Sequence, residues 1–437
     1  AVAGTDRMYD ALFKQTGAVR VETLDGLLDA ATGLAFDRKL QGRRLGILTS
    51  TGGGGSLVAE ACGLHGFDVP APDAATSERL RAALLGESAM ADRNPIDLTL
   101  ANLRSETYRE TVAALVDSPS YDAVVVVVGS SGLEDPSLAA APVRDASLAS
   151  EKPVMVYVNP YAMNIVSYLN GVGVPAFFTA EGCATALLAM AGATAAAPAS
   201  PLSDATASSG AAPEDSRILN EADALALFGE HGVRAAPYVV GSTPRQAAEL
   251  ARGLAGERLV VKILSSSVAH KSDIGGVRVG VAADDVEATC EELQRHVGSD
   301  HVEGWLIQQQ VTDGAEMLLG VIRDAQLGLA LVLGAGGTAT EVFGDTAVRL
   351  LPLGPSDARA MLGELRCRVL LEGFRGRPPA DVDALVAAVE RFGDMAIQMG
   401  DALLEAEINP LFVLPRGQGV VAADGLVVLA GSKLAAT

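Results

Sequence analysis

Lys262 and the cluster His270-Lys271-x-Asp273, closed by Gly275-Gly276, gather two cations, an imidazole and several small residues within fifteen positions. A lysine alone on a strand is ordinarily solvated surface; here its company matters. One cation on a strand, beside a loop of small residues offering backbone N–H groups, suits a polyphosphate. Lys271 adds a second positive charge to the same loop. His270 is one of only five histidines. A neutral imidazole nitrogen can attack a γ-phosphoryl group, and it can equally serve as a polar cap that only hydrogen-bonds phosphate. Lys271 would favour the phosphorylated form by charge, and Asp273 could orient the ring.

Three other segments carry candidate chemistry. Ser50–Ser56 reads STGGGGS between an apolar run and a helical pattern. Backbone N–H groups of Gly52, Gly53, Gly54, Gly55 and Ser56, aligned with a helix dipole, form an anion site. The spacing does not match a dinucleotide fingerprint. Gly334–Asp345 reads GAGGTATEVFGD. Gly336 and Gly337 permit close backbone approach to a phosphate, although a tight turn between strands accounts for them as well; Glu341 and Asp345 are candidate carboxylates at a metal or one layer behind it. Glu405–Leu411 reads EAEINPL, with Asp424 following. Mg²⁺ takes hard oxygen ligands from a few side chains and leaves the rest of its octahedron to water and phosphate. The plainer reading is a strand-end Asn-Pro turn. Gly129–Gly132 (GSSG) is a weaker candidate for oxyanion or acyl contacts.

These residues need elements to hold them. From Arg44 the pattern alternates: apolar runs at Arg44–Thr49, Ala123–Val128, Val154–Val158 and Ala176–Thr179, with helical stretches such as Ser56–His65, Glu106–Val116 and Ala180–Ala191 between. Continuous apolar strands alternating with helices predict a doubly wound parallel sheet, α/β and flavodoxin-like or Rossmann-like. Residues 192–215, rich in Ala, Ser, Pro and Thr, cannot pack a core and are expected to be a linker. Beyond it come a helix at Asn220–His231 with Asn220 as N-cap, a helix near Asp284–Val297 and a long amphipathic helix at Asp381–Gly400. Strands are expected at Trp305–Val311, Glu316–Ile322, Leu329–Leu333, Ala402–Val413 and Val420–Leu429. That mixture predicts an α+β domain.

Composition sets outer bounds. The chain has 437 residues, 49% hydrophobic and only 4% aromatic, so aliphatic side chains must fill its core. Its 33 basic and 54 acidic residues give a net charge of −21. Such a field repels nucleic acid and anionic membrane, and neither is expected as a partner. The four cysteines show no paired spacing and read as thiols of a reducing compartment. No apolar run reaches membrane-spanning length, and a cytoplasmic protein is expected.

Taken together, HKSDIGGV after a VVK strand, EINPL with Asp424, the glycine turn before Glu341, the NPIDL turn at Asn94–Leu98 and STGGGG resemble the ADP-forming acyl-CoA synthetases, relatives of succinyl-CoA synthetase. The resemblance extends over nearly the whole chain. It implies a flavodoxin-type CoA-ligase domain with a helical lead-in over 1–191, a linker at 192–215 and an ATP-grasp domain over 216–437. It implies His270 as a phosphoryl carrier and Lys262, Lys271, Gly275 and Gly276 at the ATP/ADP phosphates. Gln309 would face the adenine amino group, where the family often has Glu. The Val311 backbone would pair with the ring, and Glu316 would lie by the ribose or hinge. Asn409 and Asp424 would bind Mg²⁺, with Glu407 adjacent. Gly52–Gly55 would belong to one of two helices that cradle phosphohistidine, though the family's proline is missing there. The expected reaction is acyl-CoA + ADP + phosphate ⇌ acid + CoA + ATP, with a small carboxylic acid, CoA and phosphate as partners and a homodimer or higher oligomer as the assembly. In that family a similar start follows a histidine motif, so the chain is expected to be a fragment without the CoA-binding domain. Two rivals stand beside this reading: another ATP-grasp ligase joining a carboxylate to an amine, and a non-catalytic nucleotide-binding module.

Overall fold

The computed structural model describes residues 5–36, 38–84, 90–98, 105–129, 136–195, 216–268, 271–337 and 344–431. Two compact units result: Thr16–Pro198, and a second joining Ala1–Gln15 to Ala199–Thr437.

The first unit is built on five parallel strands, β1 (Leu45–Thr49), β2 (Ile96–Asp97), β3 (Ala123–Val128), β4 (Val154–Val158) and β5 (Ala176–Phe177), in the order β2-β1-β3-β4-β5. That is the flavodoxin-like order. Every residue of β1, β3 and β4 is buried, as a sheet covered on both faces requires. Alternation divides β3 cleanly: Val124, Val126 and Val128 join the core under helix Ser105–Asp117, whereas Ala123, Val125 and Val127 join the core under helices Gly52–Leu64 and Ala180–Ala195. Each such valine contributes about 1.5–3 kcal/mol of burial. Asn94 ties its turn to β1, accepting from Ile47 N–H at 2.9 Å and donating to the Leu45 and Pro70 carbonyls. Burial pushes the Cys62 thiol up to about 12, so it acts as a small apolar side chain.

The second unit holds two antiparallel sheets. The smaller has the order β7-β10-β8-β9, from β7 (Tyr238–Gly241), β8 (Leu259–Leu264), β9 (Val277–Val281) and β10 (Gly304–Gln309). The larger runs β13-β12-β11-β14-β16-β6, with β15 on β14. Its strands are β6 (Ser216–Ile218), β11 (Ala315–Asp324), β12 (Gly328–Ala335), β13 (Thr346–Leu350), β14 (Leu403–Val413), β15 (Val420–Ala422) and β16 (Leu426–Ala430). Helices Pro244–Ala251 and Val286–Val297 cover one face of the small sheet, over Val261, Ile263, Trp305 and Ile307. Leu264 and Leu306, on its other face, join the core formed by the large sheet and helices Glu221–Glu230 and Val382–Met399. Among the described residues no helix is long and apolar enough to cross a membrane.

Three expectations are corrected. The lead-in helix Thr5–Thr16 does not belong with the parallel sheet: Met8 and Ala11 are buried against Leu318, Ala330, Val332, Val348 and Leu350 of the large sheet. Lys14 pairs with Glu364 at 2.8 Å, and Gln15 exchanges hydrogen bonds with the Leu350 backbone. The first domain therefore starts at Thr16, not residue 1. Residues 192–195 continue helix Ala180–Ala195 and are not linker; residues 196–215 lie outside the described set. The single closing strand expected at Val420–Leu429 is two, β15 and β16, and the break between them carries Asp424.

Candidate functional site

Lys262 sits in mid-β8, where Leu306 of β10 is its cross-strand neighbour. Directly opposed residues share a face, so its side chain lies on the face that meets the large sheet. There Lys262 Nζ donates to Glu221 Oε1 and to the Ala423 carbonyl, each at 2.6 Å. Lys271 Nζ donates to the other oxygen, Glu221 Oε2, at 2.7 Å, and stands 3.9 Å from Asp424 Oδ1. Glu221 is 1% exposed, Lys262 5% and Lys271 8%. Burial would pull the Lys262 ammonium down, but Glu221 and Asp424 outweigh it and hold the group above the ordinary lysine value. The cation is therefore fully charged at neutral pH.

Asp424 reaches this cluster through strand pairing. Leu411 of β14 opposes Ala422, and Ala423 N–H donates to the Pro410 carbonyl at 3.0 Å. One step further brings Asp424 alongside Asn409. Glu407, two residues before Asn409 on β14, is half-buried. Asn409 Oδ1 accepts from Gly337 N–H at 2.9 Å, which ties β14 to the glycine-rich turn after β12. Asn409 on β14 and Asp424 in the β15–β16 break thus place two side-chain oxygen groups side by side. Among the described residues no three His, Cys, Asp or Glu side chains cluster as a metal site. That donor set fits Mg²⁺, which binds through one or two side chains plus phosphate, better than a metal caged wholly by protein.

The glycines behave differently from the expectation. Gly275 and Gly276 N–H groups donate to the Ser272 and Lys271 carbonyls at 3.1 and 2.8 Å, closing the loop on itself. Gly275 has φ +71°, and a Cβ there would meet His296 Nε2 at 2.8 Å. Gly336 N–H donates to the Glu316 carbonyl at 2.9 Å, and a Cβ on Gly336 would fall 2.5 Å from the Met317 backbone. The close approach Gly336 allows is to the Met317 backbone, and that of Gly275 is to the His296 side chain. Glu316 lies against Gly337, where a Cβ would be 2.1 Å from its Oε2. Asp345 is corrected as a metal-side group: it accepts from Arg366 and Cys367 N–H at 3.0 and 2.7 Å. Burial raises its pKa, but those donors prevail and hold it below the ordinary carboxylate value. In the first unit, Gly52–Gly55 is the opening turn of helix Gly52–Leu64, not a loop before it. Ser56 follows them in that helix.

Gln309 is corrected by strand parity. It opposes Leu259 and shares the face of Trp305 and Ile307, and its Cγ would be 3.4 Å from a Cβ on Gly256. Gln308, opposite Val260, faces the lysine side instead. Gln308 is 1% exposed, and its Nε2 has no hydrogen-bond partner among the described residues; nor has Gln310 Oε1. Val311 follows the strand end. Sequence reasoning missed Gln308 and Glu221; counting parity from Lys262 across β8 and β10 was the available signal for the former. Asp273 is exposed. His270 and Glu341, with residues 130–132 of the GSSG segment, lie outside the described residues.

Residues 210–429 match the family model described as an ATP-grasp domain. The ADP-forming acetate–CoA ligase I of Archaeoglobus fulgidus is 27% identical over 436 residues, covering 96% of this chain and 62% of that relative. The beta subunit of ADP-forming acetate–CoA ligase II from Pyrococcus furiosus is 30% identical over 181 residues, 40% of this chain and 77% of that subunit. A solved acetyl-coenzyme A synthetase 1 of Ca. Korarchaeum cryptofilum, in complex with coenzyme A and Ca-AMPCP, is 30% identical, with a TM-score of 0.46 over 49% of this chain and 93% of that one. The chain belongs to the ATP-grasp family and, within it, to the ADP-forming acyl-CoA synthetases. It spans 62% of the length of its Archaeoglobus relative.

Proposed function

We propose that this chain works in an acid–thiol ligase that interconverts acyl-CoA, ADP and phosphate with acid, CoA and ATP. Phosphate displaces CoA from the acyl carbonyl to give an acyl phosphate. The phosphoryl group passes to imidazole, releasing the carboxylate, and then from imidazole to the β-phosphate of ADP. His270 is the carrier that serves the ATP-grasp unit. A small carboxylic acid is the acyl partner.

The observation that carries this reading is the meeting of Lys262, Lys271 and Asp424 around Glu221. Two buried ammonium groups beside a metal-type carboxylate suit a nucleotide polyphosphate. Gln308 Nε2 and Gln310 Oε1, without partners among the described residues, would meet the edge of a base. Mg²⁺, when bound by Asn409 and Asp424, would neutralise charge on the phosphate oxygens. His270 directly precedes Lys271 in the sequence.

Incubating the full chain with Mg²⁺ and γ-labelled ATP tests this. The expected result is an acid-labile, base-stable label that disappears in His270→Ala. Label retained in that variant removes His270 as carrier. Absence of any label, with a hydroxamate trapped from acid and ATP without CoA, would favour a carboxylate–amine ligase.

A further inference from the structure

Glu221 opens helix Glu221–Glu230, and nothing in the motif chemistry singles it out. Its position is strongly determined. Asn220 caps the helix, its Oδ1 accepting from Asp223 N–H at 3.0 Å. The Tyr238 hydroxyl donates to the Ala222 carbonyl at 3.3 Å. Leu225 and Phe228 bury the next turns in the large core. Gly425, directly after Asp424, lets the helix lie close: a Cβ there would be 2.7 Å from the Phe228 ring.

The carboxylate so placed is divided between two lysines, one to each oxygen. Two ammonium groups held that near each other, both almost fully buried, repel strongly in a medium of low dielectric. A lysine stem is flexible, so without a counter-charge one of the two would swing away. An ammonium has three N–H donors. Among the described residues Lys262 directs two of them to Glu221 and Ala423. The charged groups facing the cluster are Asp424 on the β15–β16 break and Glu221 itself on the helix; Asp223, on the same helix, is turned to Asn220.

We propose that Glu221 is a positioning residue for the polyphosphate clamp: it holds Lys262 and Lys271 together behind the phosphates and touches no nucleotide atom itself. The inference rests on the nucleotide reading above and adds the residue that sets the clamp's spacing. A carboxylate competing with phosphate for the same lysines would act in the opposite direction, and the two are separable by experiment.

The test is calorimetry on the full chain with Mg·ADP and with adenosine, for the wild type, Glu221→Gln and Glu221→Asp. Gln keeps the shape and loses the charge; Asp keeps the charge and withdraws it by one methylene. The expected result is a loss of about tenfold or more in ADP affinity for Glu221→Gln, a smaller loss for Glu221→Asp, and unchanged adenosine affinity in both. A purely structural role would weaken the two ligands alike. Equal losses, unchanged ADP affinity or raised ADP affinity in either folded variant overturn the proposal. If Glu221→Gln does not fold, as thermal melting would reveal, Glu221→Asp decides by the same criterion. A wild-type chain that binds no ADP overturns the nucleotide reading and this inference together, whereas a wild type that binds ADP with variants that match it overturns the inference alone.

Discussion

The two glycine-rich stretches, Gly52–Gly55 and Gly334–Gly337, look alike in sequence and are used in different ways. Gly52–Gly55 begins a helix at the end of a buried parallel strand. Gly54 and Gly55 already donate to the Thr51 carbonyl at 3.0 and 3.3 Å, while a helix's first N–H groups as a class have no partner inside it. Their small size matters too, since a Cβ on Gly55 would be 2.8 Å from Thr49 Cγ2. Gly336 and Gly337 leave an antiparallel strand instead, and their N–H groups go to Glu316 and Asn409. In the first stretch the Gly54 and Gly55 donors are spent inside the helix's own opening turn. The second brings β11, β12 and β14 together so that Asn409 has a fixed place. A glycine run therefore reports close approach, and only the neighbouring element says to what.

Substitutions can break this comparison. Gly336→Ala should have the largest effect, because the added methyl meets the Met317 backbone at 2.5 Å and backbone cannot rotate aside. A loss of about 3 kcal/mol is expected in denaturant unfolding; a near-neutral result would mean that the turn is not held by β11. Asp345→Asn tests the far side of the same turn. The Asp345 carboxyl is held below its ordinary value of 3.8. Its contribution is thus complete above about pH 4 and fades as pH falls through the lower native value. Melting temperature followed from about pH 5 to pH 2 should fall less steeply in the variant than in the wild type, and parallel curves would refute the capping role. Gly53→Ala should have the smallest effect and the opposite sign. Nothing lies within 4 Å of a Cβ there, and alanine is the better helix former, so stability should rise by up to about 0.5 kcal/mol. A clear loss would show that Gly53 needs its conformational freedom.

Much of the candidate site was legible from residue types. Lys262, Lys271, Asn409 and Asp424 stood out as cations and hard oxygens, and the structure brings Lys262, Lys271 and Asp424 into one cluster, with Asn409 alongside Asp424. Gln309 was misread because a run of three glutamines, two of them in β10, does not announce its parity; the register against Leu259 and Val260 does. Glu221 was overlooked because an acidic residue in a helix's first turn is ordinarily explained by the dipole alone. The strands β7, β9 and β13 were not anticipated, being short and, for β7 and β9, largely outside the core.

What the sequence determined by itself was periodicity and chemistry. The continuous apolar runs Ala123–Val128 and Val154–Val158, set between helical patterns, asked for strands buried on both faces, and a stretch of small polar residues cannot build a core. The tertiary structure alone decided partnership. The helix Thr5–Thr16 is amphipathic in any context, yet only packing assigns Met8 and Ala11 to a sheet more than three hundred residues away. Likewise two lysines on β8 and its following loop become one buried cluster only because a helix from another part of the chain places a single carboxylate between them. Hydrophobic burial is non-directional, so an apolar face does not specify which surface will cover it, and a buried charge acquires its meaning from whichever opposite charge folding brings within reach.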